Sequence, residues 1–297
     1  MSSSSRQDVL VRAMPAIFVL IWSTGFIVAR FGMPHAPPMK FLALRYFLSV
    51  ACFAVWAMAA GVAVVPADRR QVKHLAVTGM LMHGGYLGGV WAAVKLGMGA
   101  GLAALLVGLQ PVLTAVWVSS RGGVVSARQW AGLALGFGGL ALVVWQKLGV
   151  GEISSVNFLL ALGALLSITV GTIYQKRFVA PCDVRTASLV QLCAAFAVTL
   201  PLTLLESESV RWTGQLAGAM AWSVLALTLG GSSLLYLLIH RGAATAVSSL
   251  MYLVPPCTAV MAWLLFGEAI TAVTVAGIAL TALGVSLVVR SPSPRGS

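Results

Sequence analysis

The sequence predicts an all-α membrane protein of ten transmembrane helices, arranged as two five-helix inverted-topology repeats. Three observations lead there. Lys and Arg number 19 and Asp and Glu 7, together 9% of 297 residues, while 59% are hydrophobic and the mean hydropathy is +0.96. A soluble domain carries about a quarter of its residues as charged side chains, so this chain cannot cover a water-facing surface. The apolar residues also gather into long runs rather than spreading evenly. Finally, the chain matches itself when shifted by 145 residues.

A helix that crosses the roughly 30 Å hydrocarbon core needs about 20 mostly apolar residues. Ten runs qualify, near 13–31, 41–61, 74–95, 100–120, 127–146, 155–175, 186–205, 215–239, 244–266 and 270–289. Barrel strands would show alternating segments of about ten residues, whereas these runs are longer and apolar on every face. The first follows a short polar segment, Met1 to Arg12, and lacks a small-residue cleavage site, so it reads as an uncleaved helix. The third carries His83 in Leu81-Met82-His83-Gly84-Gly85-Tyr86, and the fourth is interrupted by Pro111. Gly84/Gly88 and Gly85/Gly89 of the third run, and Gly163, Ser167 and Gly171 of the sixth, read as smooth seams for close helix packing. The ninth run contains Pro255-Pro256. Cys52, Cys182, Cys193 and Cys257 form no CxxC pair, and neither a disulfide frame nor a metal site is expected.

The formal charge of +12 does not describe a nucleic-acid face, because the basic residues are scattered between apolar runs. Their distribution instead sets orientation. Arg6, Arg12, Arg69, Arg70, Lys73, Arg121, Arg128, Lys176, Arg177, Arg185, Arg241, Arg290 and Arg295 fall on the side of the termini. Arg30, Lys40, Arg45, Lys95, Lys147 and Arg211 fall on the other. Thirteen against six puts both termini in the cytoplasm. A multi-pass protein of a bacterial inner membrane is expected, with the lipid bilayer as its surroundings, and a monomer.

The 145-residue shift places Ala131-Gly132-Leu133-Ala134-Leu135 on Ala276-Gly277-Ile278-Ala279-Leu280, Gly139 on Gly284 and Pro111 on Pro256. This divides the chain at 1–150 and 151–297. Five spans is an odd number, so the second half enters the membrane from the opposite side. Inverted repeats of this kind recur in secondary transporters, whose substrate sits near the midplane and whose interrupted spans border the site. Pro111, Pro255 and Pro256 are therefore candidate hinge or gating positions, the alternative being packing kinks without substrate contact.

These residues carry a family resemblance. Trp22-Ser23-Thr24-Gly25-Phe26, Phe41-Leu42-Ala43-Leu44-Arg45-Tyr46, Gln110-Pro111-Val112-Leu113-Thr114-Ala115, and Tyr252-Leu253-Val254-Pro255-Pro256 with Trp263-Leu264-Leu265-Phe266-Gly267-Glu268 resemble the EamA-type transporters of the drug/metabolite transporter superfamily. The resemblance spans essentially the whole chain and implies ten helices in two inverted halves. Within that family the chain is most similar to amino acid exporters, including aromatic amino acid exporters. One departure stands out: the first half reads Arg121-Gly122-Gly123 where the family often has Gly-Glu.

Polar groups inside spans are costly and mark substrate paths. None of the seven carboxylates lies mid-span, and His83 reads as the one ionisable group near the middle of a run. Two readings of it are open: a substrate contact or titrating group, and a neutral imidazole bonded to a neighbouring helix. Trp22, Tyr86, Trp91, Tyr174, Tyr236 and Tyr252 could wall a pocket for a flat apolar substrate with one polar end. Gln110, Thr169, Ser232, Ser233, Ser248 and Ser249 complete the candidate substrate-binding set. No phosphate-binding Gly-rich loop with Lys is present, and no cofactor is expected. With no carboxylate in the membrane, facilitated export is favoured over the alternative, a proton-coupled metabolite or drug efflux carrier. A membrane-embedded enzyme would need an acid, nucleophile or metal cluster beside His83, and the loops offer none; no catalytic residues are assigned.

Overall fold

The computed structural model describes residues 3–121, 126–149, 151–240 and 251–289. Among them every regular element is helical: α1 Ser3–Gly32, α2 Pro38–Ala59, α3 Arg69–Gly79, α4 Tyr86–Lys95, α5 Ala100–Val107, α6 Gln110–Ser120, α7 Ala127–Gly149, α8 Ser155–Phe178, α9 Val184–Leu202, α10 Gly214–Trp222, α11 Gly231–His240, α12 Val254–Phe266 and α13 Ala272–Val289. Local chemistry sets many of the ends. Pro37 precedes α2 and Pro38 occupies its first turn, where a missing N–H costs nothing. Asp68, Asp183 and Thr213 accept backbone N–H groups at the starts of α3, α9 and α10, and Ser154 with Asn157 forms a reciprocal cap on α8. Gly267 ends α12 at φ +67°, a left-handed conformation that glycine adopts without a Cβ penalty.

Among the described residues seven helical stretches are long and apolar enough to cross a membrane: Ala13–Gly32, Pro38–Ala59, Ala100–Trp117, Ala127–Leu148, Ser155–Phe178, Val184–Leu205 and Gly214–Leu234. Val254–Phe266 and Ala272–Val288 are apolar but shorter. The α3–α4 rod opens on Arg69, Arg70 and Lys73, and its His83 and glycines dilute its hydropathy.

Two rods widen at corresponding places. A π-helical segment, Met80–Gly85, joins α3 to α4, and a second, Ser223–Gly230, joins α10 to α11. Adding 145 to 80–85 gives 225–230, inside the second segment. Each wide turn diverts backbone carbonyls to side chains. Leu81 O accepts from Ser167 Oγ at 2.8 Å, His83 O accepts from Tyr46 Oη at 2.8 Å, and Ser223 O accepts from Thr228 Oγ1 at 2.8 Å.

The helices α7 and α13 cross through glycines. A methyl on Gly132 would meet the Gly284 carbonyl oxygen, and one on Gly139 would meet that of Gly277. The reverse contacts, Gly284 on Gly132 and Gly277 on Gly139, are equally close. Gly132 and Gly277 are 145 apart, as are Gly139 and Gly284, so each glycine meets the counterpart of the other. That exchange is the signature of a local two-fold axis.

Elsewhere the small residues sort differently from expectation. Gly85 and Gly89 pack on Ser167, Leu160 and Ala164 of α8, while Gly84 faces Val198 and Gly88 faces Met39. Gly163 has open space where its side chain would lie and is not part of a seam; Gly171 packs on Met82. Each residue is rotated about 100° from the one before it, so adjacent pairs such as Gly84/Gly88 and Gly85/Gly89 need not serve one partner.

At one end of the bundle the connections are tied across the chain. Glu206 accepts from Met39 N and Lys40 N at the start of α2, and Glu208 pairs with Lys95. Glu268 accepts from Ala100 N at 2.9 Å, an acid placed at the positive N-terminus of α5. The equivalent site of the first half, Gly122-Gly123, lies outside the described residues. At the opposite end Gln71 donates to Ala180 O, His74 meets Tyr174, and Thr186 donates to Ala63 O.

Candidate functional site

Between α1, α2, α4, α8, α11 and the two π-helical segments lies a cavity of about 110 Å³. Its lining is Trp22, Gly25, Phe26, Arg45, Met82, His83, Tyr86, Leu87, Val90, Trp91, Ile168, Leu227, Thr228 and Ser232. The apolar wall with few polar groups suits a small organic ligand. Its aromatic part is held rigidly: Trp91 is almost fully buried and stacks on Phe41 with ring centroids 4.4 Å apart. Trp22 packs on Phe18 at 5.4 Å.

The polar part centres on Arg45. The residue is 7% exposed, and its guanidinium donates from Nε at 3.2 Å and Nη2 at 3.0 Å to the same Thr228 Oγ1. Thr228 in turn gives its own proton to Ser223 O, so its hydroxyl is fully used as one donor and two acceptances. No carboxylate pairs with Arg45 among the described residues; the ion pairs there are Lys95–Glu208, Lys147–Glu152 and Arg185–Asp183. His83 also lines the cavity, and its imidazole bonds Gln191 of α9. His83 therefore stands between a neighbouring helix and the cavity.

His83 is thus not alone among ionisable groups within the spans. Read from sequence, Arg45 belonged to the polar edge of the second run. Helix α2 begins at Pro38, however, and seven residues at 1.5 Å each carry Arg45 about 10 Å along it. The Pro37-Pro38 pair was the signal: a proline favoured in the first helical turn starts the helix ahead of the apolar run.

Of the residues expected to bind substrate, Trp22, His83, Tyr86, Trp91 and Ser232 meet in this cavity. Four others lie elsewhere. Gln110 donates to Thr172 Oγ1 at 2.8 Å, bridging α6 to α8, and Thr169 is buried on its own Leu165 O. Tyr174 bonds His74 Nδ1 and packs on Phe178. Ser233 donates to Leu229 O within its own helix. A hydroxyl inside an apolar helix readily turns back onto the carbonyl four residues earlier, which takes Thr169 and Ser233 off the cavity. Ser248, Ser249 and the side chains of Tyr236 and Tyr252 lie outside the described residues.

Pro111 and Pro255 sit in first helical turns rather than within kinked helices. Gly108 and Leu109 separate α5 from α6, and the turn Met251–Leu253 precedes α12. The two breaks touch, with a methyl on Gly108 reaching Pro255 Cγ at 2.9 Å. Among the described residues no group of three His, Cys, Asp or Glu side chains is placed to hold a metal ion.

The model of the EamA-like transporter family matches twice, over residues 13–145 and 156–290. The chain belongs to the EamA-like transporter family. A "Probable amino-acid metabolite efflux pump" of Salmonella typhimurium is 28% identical over 282 residues, covering 90% of this chain and 91% of the relative. The Escherichia coli K12 protein of the same name is 24% identical, with 94% of each covered. The "Uncharacterized inner membrane transporter YedA" of that strain is 25% identical over 93% of this chain and 87% of its own. A solved crystal structure, 20% identical, superposes over 96% of both chains with a TM-score of 0.68 and shares the fold. This EamA-family protein is accordingly a multi-pass membrane transporter and not an enzyme.

Proposed function

We propose that this EamA-family protein exports amino acids, aromatic ones included, or closely related metabolites, from the bacterial cytoplasm by alternating access. The observation that carries the reading is the cavity itself, with Trp22, Tyr86 and Trp91 as a flat apolar wall and Arg45, His83, Thr228 and Ser232 as a polar end. The names of the relatives from Salmonella and Escherichia support the substrate class. In this reading the chain works as a monomer of ten spans in two inverted halves, 1–150 and 151–297, with both termini cytoplasmic. The reciprocal glycine crossing of α7 and α13 and the paired π-helical segments support the repeat. The touching breaks at Gly108 and Pro255 are where the two halves would rock, with Pro111, Pro255 and Pro256 fixing the helix starts on either side.

The carrier is a facilitator, moving substrate down its gradient, because the cavity offers no carboxylate to carry a proton across the membrane. Purified protein in liposomes should show saturable counterflow of radiolabelled phenylalanine, competed by other amino acids. The rate should be the same with and without an imposed pH gradient. Accumulation uphill, driven by that gradient, would replace the facilitator with a proton-coupled carrier.

A further inference from the structure

We infer that Arg45 is the substrate's anchor, and that it selects for a carboxylate while the α-amino group of an amino acid is dispensable. This deepens the proposed function and rests on its placing of substrate in this cavity. Arginine presents five N–H donors in a planar fork. Here Arg45 is more than nine-tenths buried and lines the cavity, and among the described residues its hydrogen bonds go to a single neutral oxygen, Thr228 Oγ1. A cation held in an apolar site without a counter-charge is costly unless an anion joins it. Planar carboxylates match the fork in a bidentate manner. A dianion such as phosphate would leave one charge uncompensated, since among the described residues no second Lys or Arg lines the cavity.

The other end of a zwitterion finds no such partner. Asp68, Glu152, Asp183, Glu206, Glu208 and Glu268 all stand at helix ends or in connections, away from this lining. Among the described residues an ammonium group would meet only the Tyr86 and Ser232 hydroxyls and the His83 ring, the Thr228 hydroxyl being already engaged by Arg45 and Ser223. The aromatic wall of Trp22, Tyr86 and Trp91 then receives the flat body of the same molecule.

Three ligands with one phenyl body separate the contributions: 3-phenylpropionate has the acid, phenethylamine the amine, and phenylalanine both. Equilibrium dialysis of the labelled ligands against detergent-purified full-length protein should rank 3-phenylpropionate and phenylalanine together, with phenethylamine at least about tenfold weaker. Arg45→Gln should remove that preference by weakening both acids about tenfold or more, and Arg45→Lys should keep part of it, since lysine retains the charge without the fork. The ranking in the parent protein needs no variant, so a failure of Arg45→Gln to fold leaves the test intact. Binding of phenethylamine as tight as that of the acid, binding of neither, or an unchanged preference in folded Arg45→Gln would overturn the inference. If the acid preference stands but phenylalanine does not cross liposomes, the export reading falls and the anchor remains. If phenylalanine flux is inhibited equally by amine and acid, export stands and the anchor falls.

Discussion

Lys95 and Glu208 meet where the end of α4 approaches the connection between α9 and α10, on the well-solvated end of the bundle. The hydrogen bond and charge of Lys95 hold the Glu208 carboxyl below the usual glutamate range. A carboxyl depressed by folding contributes stability that is present above its unfolded value, near 4.5, and disappears as the pH falls through its lower folded value. Thermal unfolding in detergent should therefore lose a small increment as the pH drops below about 4.5, and Lys95→Met should abolish that increment. An identical acid profile in the variant would detach Glu208 from it. Arg45 shows the opposite setting: a charge about 10 Å inside a helix, with no water-screened partner. Its depth was legible once Pro38 was taken as the first helical residue. What was not legible was Thr228 as its neighbour, because 183 residues separate the two.

Glycines show how an element's neighbour decides the meaning of its sequence. Gly79 ends α3 directly against the backbone of Gln191 in α9, leaving no room for a methyl group. Gly218 of α10 has nothing within reach of an added methyl. We predict that Gly79→Ala costs about 1–3 kcal/mol, since a backbone oxygen cannot step aside as a side chain can. Gly218→Ala should instead raise stability by up to about 1 kcal/mol through helix propensity. Melting temperatures of the two variants check this, and equal melting temperatures would sink it. Both residues look alike in sequence, each a glycine in an apolar run, as does Gly163, which was expected in a seam and faces open space. The π-helical segments Met80–Gly85 and Ser223–Gly230 were equally invisible. In the first segment the carbonyls take partners on other helices, Tyr46 and Ser167, while in the second Ser223 O takes Thr228 of the same segment, which is itself engaged by Arg45 of α2.

At the scale of the molecule the basic residues fix the expected orientation, and fusions at Met1 and Ser297 test it. A reporter active only in the cytoplasm should function at both ends, and one active only in the periplasm at neither. Activity of the periplasmic reporter at one terminus would make the span count odd; at both, it would reverse the orientation. Scarcity of charge and run length are properties of the chain alone, and they determined the membrane class and the helical architecture. They sufficed because each reflects local solvation or periodicity. Which polar groups share a cavity was decided only by the tertiary structure. Helices from distant parts of the chain brought Arg45, His83 and Thr228 together, and the same packing turned Thr169, Tyr174 and Ser233 to partners elsewhere. In an apolar bundle a polar side chain takes the nearest available partner, and that partner is set by helix rotation and crossing, which a single sequence does not state.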